Sequence, residues 1–207
     1  MRAAIVDRLR GTRVPADTVA AACSDIPPGT EHIWFRLPLT PAAVLLPLVD
    51  RGGELHLVLT QRNQSLPEHP GQVALPGGRA DRRDVDLVAT ALREAHEEIG
   101  LPAASVRVAG FVKPQPIISG YAVLPVVGLV DAGFVARPDQ REVAAVFEVP
   151  LAFLLNPENC CAGKRERAGV RLPVWEYRYN GFRIWGATAK IIREFGDLLG
   201  PSAALGA

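Results

Sequence analysis

The chain has 207 residues, 48% of them hydrophobic, and a formal net charge of +1 with pI near 7.8. That length buries a sizeable core and is read as one domain over 1–207, with a core of about 40–200 and a helical lead-in over 1–39. The balanced charge gives no broad basic field, which argues against extended nucleic-acid binding and leaves a small anionic molecule as the natural partner.

Residues 1–10 read as a short helix, followed by an irregular proline-containing lead-in with a helical piece near Ala16 to Cys23. Ala42 to Val49 and Leu55 to Leu59 are apolar strand candidates joined across Arg51-Gly52-Gly53 as a hairpin. Val73-Ala74-Leu75 is a short apolar run that ends at Pro76-Gly77-Gly78. A helix is expected from Val85 to Ile99, with Asp84 as its N-cap and Gly100 followed by Pro102 as its stop. Val106 to Val112 and Ala122 to Val130 read as strands, the second buried on both faces. Glu142 to Phe147 reads as a strand or turn and Leu151 to Leu155 as a helix. Trp175 to Tyr179 and Phe182 to Trp185 flank Asn180-Gly181, a strong hairpin turn, before a last helix over Ala187 to Leu199. The tail 201–207 is expected to be disordered. Strands interleaved with helices give an α/β (α+β) class, a mixed β-sheet sandwiched between α-helices.

No apolar run reaches the ~18 residues of a membrane span, and Asp7, Arg8 and Arg10 interrupt any leader-like core, so a soluble, cytoplasmic protein is expected. Cys23, Cys160 and Cys161 form neither a disulfide framework nor a spaced zinc motif, which points to a reducing compartment.

Glu94, Glu97 and Glu98 stand at i, i+3 and i+4 of the acidic helix, where side chains are neighbours roughly 5–6 Å apart at Cβ. At about 100° per residue, Leu87, Val88, Ala91, Leu92, Ala95 and Ile99 form one apolar sector. Glu98 projects at its edge, Glu94 and Glu97 flank it, and Arg93 and His96 point elsewhere. A carboxylate at the rim of a buried face is costly unless paired or metal-bound. A hard divalent cation, Mg²⁺ or Mn²⁺, is the partner such a cluster suits, since it takes carboxylates together with phosphate oxygens. The adjacent Gly77 and Gly78 let backbone approach a ligand closely.

The stretch Arg93-Glu94-Ala95-His96-Glu97-Glu98-Ile99-Gly100-Leu101 after a glycine loop resembles the signature of the Nudix hydrolases at every fixed position. The spacer from Gly78 to Arg93 holds 14 residues, one more than the general pattern, and carries Asp81 and Asp84 in place of a glutamate. With Thr90-Ala91-Leu92 it resembles the branch that hydrolyses coenzyme A. That branch has an upstream motif, and here Val58-Leu59-Thr60-Gln61-Arg62-Asn63, Gly71 and Leu75-Pro76-Gly77-Gly78 follow it in register. Val58, Asn63, Pro67 and Leu75 depart from it, Pro67 standing where the branch has a second arginine.

The resemblance implies a Nudix fold and a metal-dependent pyrophosphohydrolase cleaving coenzyme A or acyl-CoA to 3′,5′-ADP and 4′-phosphopantetheine or its acyl form. Other nucleoside diphosphate derivatives, or a non-catalytic ligand-sensing module, are the alternatives. It makes Glu94 and Glu98 primary metal ligands, Glu97 a further ligand or base, and Arg93 an orienting residue. Glu142 is a candidate acid supplied from a loop. Arg62, His69, Gln72 and Lys113, with Gly77 and Gly78, are candidates for substrate binding. A homodimer is a family-level expectation.

Overall fold

The computed structural model describes residues 1–24, 26 and 28–200; the expected disorder of the tail lies outside the described residues. The chain enters through α1 (Arg2–Leu9) and α2 (Thr18–Cys23), the latter capped by Asp17, whose carboxylate accepts the Ala20 N–H at 2.9 Å. A further short helix, α3 (Glu31–Trp34), lies in the lead-in read as irregular. The long hairpin follows as β1 (Thr40–Arg51) and β2 (Glu54–Arg62), antiparallel from Leu48 opposite Leu57 to Arg51 opposite Glu54. Gly52 and Gly53 turn it at φ 74° and 97°, values that glycine adopts without strain, and Asp50 accepts the Gly53 N–H at 2.7 Å.

β3 (Val73–Ala74) pairs with β2, and β4 (Gly77–Arg79) pairs with β1. The acidic helix α4 spans Leu87–Ile99, two residues shorter at its start than expected. Its cap is Asp86, which accepts the Ala89 N–H at 2.8 Å. Asp84 is drawn elsewhere, as described below. Gly100 closes the helix at φ 67°, as its position implies.

β5 (Val106–Phe111), the short β6 (Gln115–Ile117) and β7 (Tyr121–Val130) complete one flank. β7 is buried throughout after Tyr121 and runs parallel to β1 from Thr40 opposite Tyr121 to Val49 opposite Val130. Then come β8 (Val143–Pro150), antiparallel to β2, and α5 (Leu151–Leu155). β9 (Cys160–Arg167), β10 (Val170–Tyr179) and β11 (Phe182–Trp185) form a second, three-stranded antiparallel sheet, and α6 (Ala187–Leu199) ends the fold. β9 was not foreseen, and β10 begins five residues before the expected Trp175.

The main sheet has eight strands, with β3, β2, β1, β7 and β5 in sequence, β4 also on β1, β6 on β7 and β8 on β2. β1 divides the core by alternation. Ala43, Leu45 and Val49 pack with Ala91, Ala95 and Ile99 of α4, whereas Ala42, Leu46 and Leu48 pack with residues of α1, α5 and α6 such as Ile5, Leu154 and Phe195. The mixed sheet is therefore enclosed by helices on both faces, the α/β arrangement expected from the sequence. No helix among the described residues is long and apolar enough to cross a membrane.

Candidate active site

The acidic face of α4 is organised by Asp84. Its carboxylate receives Arg93 Nε and Nη2, both at 2.9 Å, as well as the Thr90 hydroxyl at 2.9 Å and the Asp81 N–H at 2.9 Å. The Arg93 guanidinium holds the Asp84 carboxyl far below the usual carboxylate range, and the same bonds raise Arg93 above an already basic value. Arg93 thus folds back instead of pointing away from the acids. Its Nη1 donates to Glu94 at 2.8 Å and to Glu97 at 3.1 Å, and its Nη2 donates to the Arg79 carbonyl at 3.2 Å. One planar fork ties the spacer, the glycine strand and two glutamates together.

Glu98 occupies the position expected from the helix angles, buried at the edge of the apolar sector. Its Oε2 is buried without a hydrogen-bond partner among the described residues, while Oε1 stands 4.0 Å from Arg62. Burial, then the charge of Glu94, pushes its carboxyl up to about 8, against the opposing pull of Arg62 and the Gly77 N–H. Burial also raises Glu94, opposed by its bond from Arg93. A Cβ built on Gly78 would lie 2.6 Å from the Glu94 carboxylate, so the glycine is what gives that carboxylate its place against β4. Glu97 is different, for more than half of its side chain is exposed.

Among the described residues no three His, Cys, Asp or Glu side chains already gather as a ready ligand set, because Arg93 draws Glu94 and Glu97 toward itself. The donors nevertheless suit a hard divalent cation. An orphaned buried carboxylate oxygen on Glu98, with Glu94 close enough to raise its proton affinity, is a site that positive charge relieves.

Glu142 reaches the same place from a loop. Arg137 N–H donates to the Ile99 carbonyl at 2.9 Å and Asp139 N–H to the Glu98 carbonyl at 3.0 Å, which pins this loop to the end of α4. Asn63 secures the other side, its N–H on the Glu142 carbonyl at 2.7 Å and its side-chain amide on the Gln140 carbonyl at 2.8 Å. The exposed Glu142 carboxylate is close enough to raise both Glu94 and Glu98.

On the α6 face of β1 and β7 lies a cleft of about 270 Å³ that Arg62, His69, Gln72, Gly77 and Gly78 all line. The pairing of β2 with β8 shifts between Gln61 and Arg62, where Ala144 of β8 has no opposite residue, and the Arg62 N–H donates to the Gln72 carbonyl at 2.9 Å. His69 holds φ 56° in the intervening loop. Lys113 is exposed and does not line this cleft. Arg79, Ser119, Tyr121 and Thr188 do line it and were not singled out in the sequence. Strand alternation around the glycines could have pointed to Arg79; the others come from distant elements that only the fold brings near. Thr188 donates to the Val73 carbonyl at 3.1 Å, joining α6 to the strand before the glycine bend.

A family model for the NUDIX domain matches residues 38–166. The chain is 42% identical over 159 residues to an uncharacterised Nudix hydrolase, NudL, of Enterobacter sp. (strain 638), covering 77% of this chain and 82% of that protein. It is 43% identical over 159 residues to NudL of Escherichia coli O157:H7 (strain EC4115), with the same coverage of 77% and 82%. A solved Nudix hydrolase of M. smegmatis, RenU, is 28% identical with a TM-score of 0.47, covering 55% of this chain and 71% of that one. With the signature's acids gathered around Arg93 and the glycine bend, the chain belongs to the Nudix hydrolases, enzymes that act on pyrophosphate bonds of nucleoside diphosphate derivatives.

Proposed function

We propose that this enzyme hydrolyses the diphosphate of coenzyme A or its acyl thioesters, with Mg²⁺ or Mn²⁺, to 3′,5′-ADP and 4′-phosphopantetheine or its acyl form. The observation that carries the reading is that Arg62, Gln72, Gly77 and Gly78, all within the upstream segment resembling the coenzyme A branch, wall one cleft whose glycine end abuts Glu94 and Glu98.

Glu94 and Glu98 would hold the cation, with Glu97 as a further ligand; when bound, it neutralises diphosphate oxygens and acidifies a water. Arg62 grips a phosphate oxygen through its planar fork. Arg93 positions Glu94 and Glu97, itself fixed by Asp84. Glu142 accepts the proton of the attacking water, a role supported by its closeness to both Glu94 and Glu98. The new P–O bond forms as the bridging P–O bond breaks, and the departing phosphate leaves with its oxygen. Positioning and charge compensation supply most of the rate for such a transfer.

Pro67, in place of the branch's second arginine, favours a second reading, cleavage of another nucleoside diphosphate derivative such as ADP-ribose or NADH. Product identification with coenzyme A, ADP-ribose and NADH in Mg²⁺ or Mn²⁺ separates the two. Coenzyme A is expected to be cleaved fastest; faster cleavage of ADP-ribose overturns the choice.

A further inference from the structure

We infer that Arg79, with the hydroxyl of Tyr121, reads a second phosphate of the substrate, a phosphomonoester separate from the diphosphate that is cut. The inference rests on the coenzyme A reading above, in which the adenosine carries a 3′-phosphate that survives in the 3′,5′-ADP product.

The placement follows from the pleat of β4. Gly78 faces α4, since a Cβ there would meet the Glu94 carboxylate. Gly77 and Arg79 therefore project from the opposite face, toward the cleft they both line. The register agrees, with Arg79 opposite Ala42 and Gly77 opposite Val44, two β1 residues that also line the cleft. Tyr121 belongs to the same surface, because its partner on β1 is Thr40, two residues from Ala42.

The strand under Arg79 is held firmly. Its carbonyl accepts Arg93 Nη2 at 3.2 Å, and the next N–H, of Ala80, donates to the Pro41 carbonyl at 3.1 Å. Its guanidinium is uncommitted, for among the described residues no carboxylate or carbonyl pairs with it. The other guanidinium of the cleft differs, since Arg62 stands 4.0 Å from Glu98 and donates to the Glu68 carbonyl at 3.4 Å.

One strand thus separates a cation-directed device from an anion-directed one. The carboxylates that suit a cation over the diphosphate lie on the α4 side, and a free planar fork lies on the other. Two residues of strand, at about 3.3 Å each, set the Cα of Arg79 roughly 7 Å from that of Gly77. With the cation side of the strand given to the diphosphate, the anion left for Arg79 is a further group on the same molecule. A phosphomonoester dianion offers the paired oxygens that the fork matches, and a tyrosine hydroxyl donates to a third.

The test compares kcat/KM for coenzyme A with that for 3′-dephospho-coenzyme A. The unaltered enzyme prefers coenzyme A. Arg79→Ala lowers the ratio of the two by about 10- to 100-fold, the range for losing a hydrogen-bonded charge partner, and acts mainly through KM. Arg79→Lys, which keeps the charge and loses the fork, falls between, and Tyr121→Phe lowers the ratio less. A ratio unchanged in Arg79→Ala, or an equal loss on both substrates, overturns the inference while leaving the coenzyme A reading intact. Failure of the unaltered enzyme to cleave coenzyme A overturns that reading and this one with it.

Discussion

Replacing Gly78 by alanine separates the site's geometry from the stability of the fold. The added Cβ would stand 2.6 Å from Glu94 Cδ and Oε2, where ordinary contact begins near 3.4 Å. The carboxylate must therefore retreat by about 0.8 Å or more, away from β4 and from its 2.8 Å bond with Arg93. What yields is the far end of a flexible side chain, so an off-rotamer cost of about 0.5–1.5 kcal/mol is set against roughly 0.4–1 kcal/mol gained by stiffening the unfolded chain. Thermal unfolding without divalent ions should shift little. Turnover of the diphosphate substrate at saturating Mg²⁺ should fall on the order of 100-fold, the cost of misplacing a catalytic group by about 1 Å. Gly77→Ala is the contrast, because its Cβ would meet Val44 Cα at 2.6 Å together with the Ala43 carbonyl. Backbone in the sheet centre cannot give way as a side chain does, and overpacking of this kind costs about 1–3 kcal/mol. Near-normal turnover in Gly78→Ala, or a collapse of its melting temperature to that of Gly77→Ala, would refute the reasoning.

Asp84→Ala strips Arg93 of its anchor; with Arg93 24% exposed, water recovers part of the loss, so denaturant melts should show about 2–3 kcal/mol, below the 3–5 of a fully buried pair. Turnover should fall as well, and unchanged turnover would mean that Arg93 keeps Glu94 in place unaided. Glu98 is lifted from an ordinary 4.5 to about 8, so the folded chain retains a proton that the unfolded chain releases between those values. In chelator, stability should therefore decline as pH rises from 4.5 to about 8 and level off above, a decline absent from Glu98→Gln; superimposable melting profiles of the two proteins would contradict this. Glu142→Gln should cut turnover strongly while leaving the melting temperature unchanged, since the residue is exposed and its backbone carbonyl makes the tie to Asn63. Near-normal rates would remove it from the site.

The elements most legible in the sequence are those whose own residues enforce them. Gly52-Gly53 and Asn180-Gly181 declare their hairpins, Gly100 stops α4, and the angular position of Glu98 places it at the buried edge. The start of α4 is ambiguous in the sequence because two aspartates compete for one role, and only the structure shows Asp84 committed to Arg93 and Asp86 left to cap. β9 has no apolar alternation; it is a strand because β10 supplies the pairing, from Cys160 opposite Tyr177 to Arg167 opposite Val170. Within the site, the glutamates and the upstream segment were visible as neighbours along the chain. Tyr121 and Thr188 reach the cleft through long-range strand and helix packing, which no local pattern encodes.

β9 is the outer strand of the second sheet, and Lys164-Arg165-Glu166-Arg167 lie exposed along it. A bare edge of that length would invite another chain to add itself by backbone pairing and so propagate into aggregates. A fringe of mostly like charges repels its own copy in either direction of approach, which keeps the ribbon self-avoiding in concentrated solution. Neutral, β-branched residues at Lys164, Arg165 and Arg167 would lift that protection without touching the diphosphate chemistry.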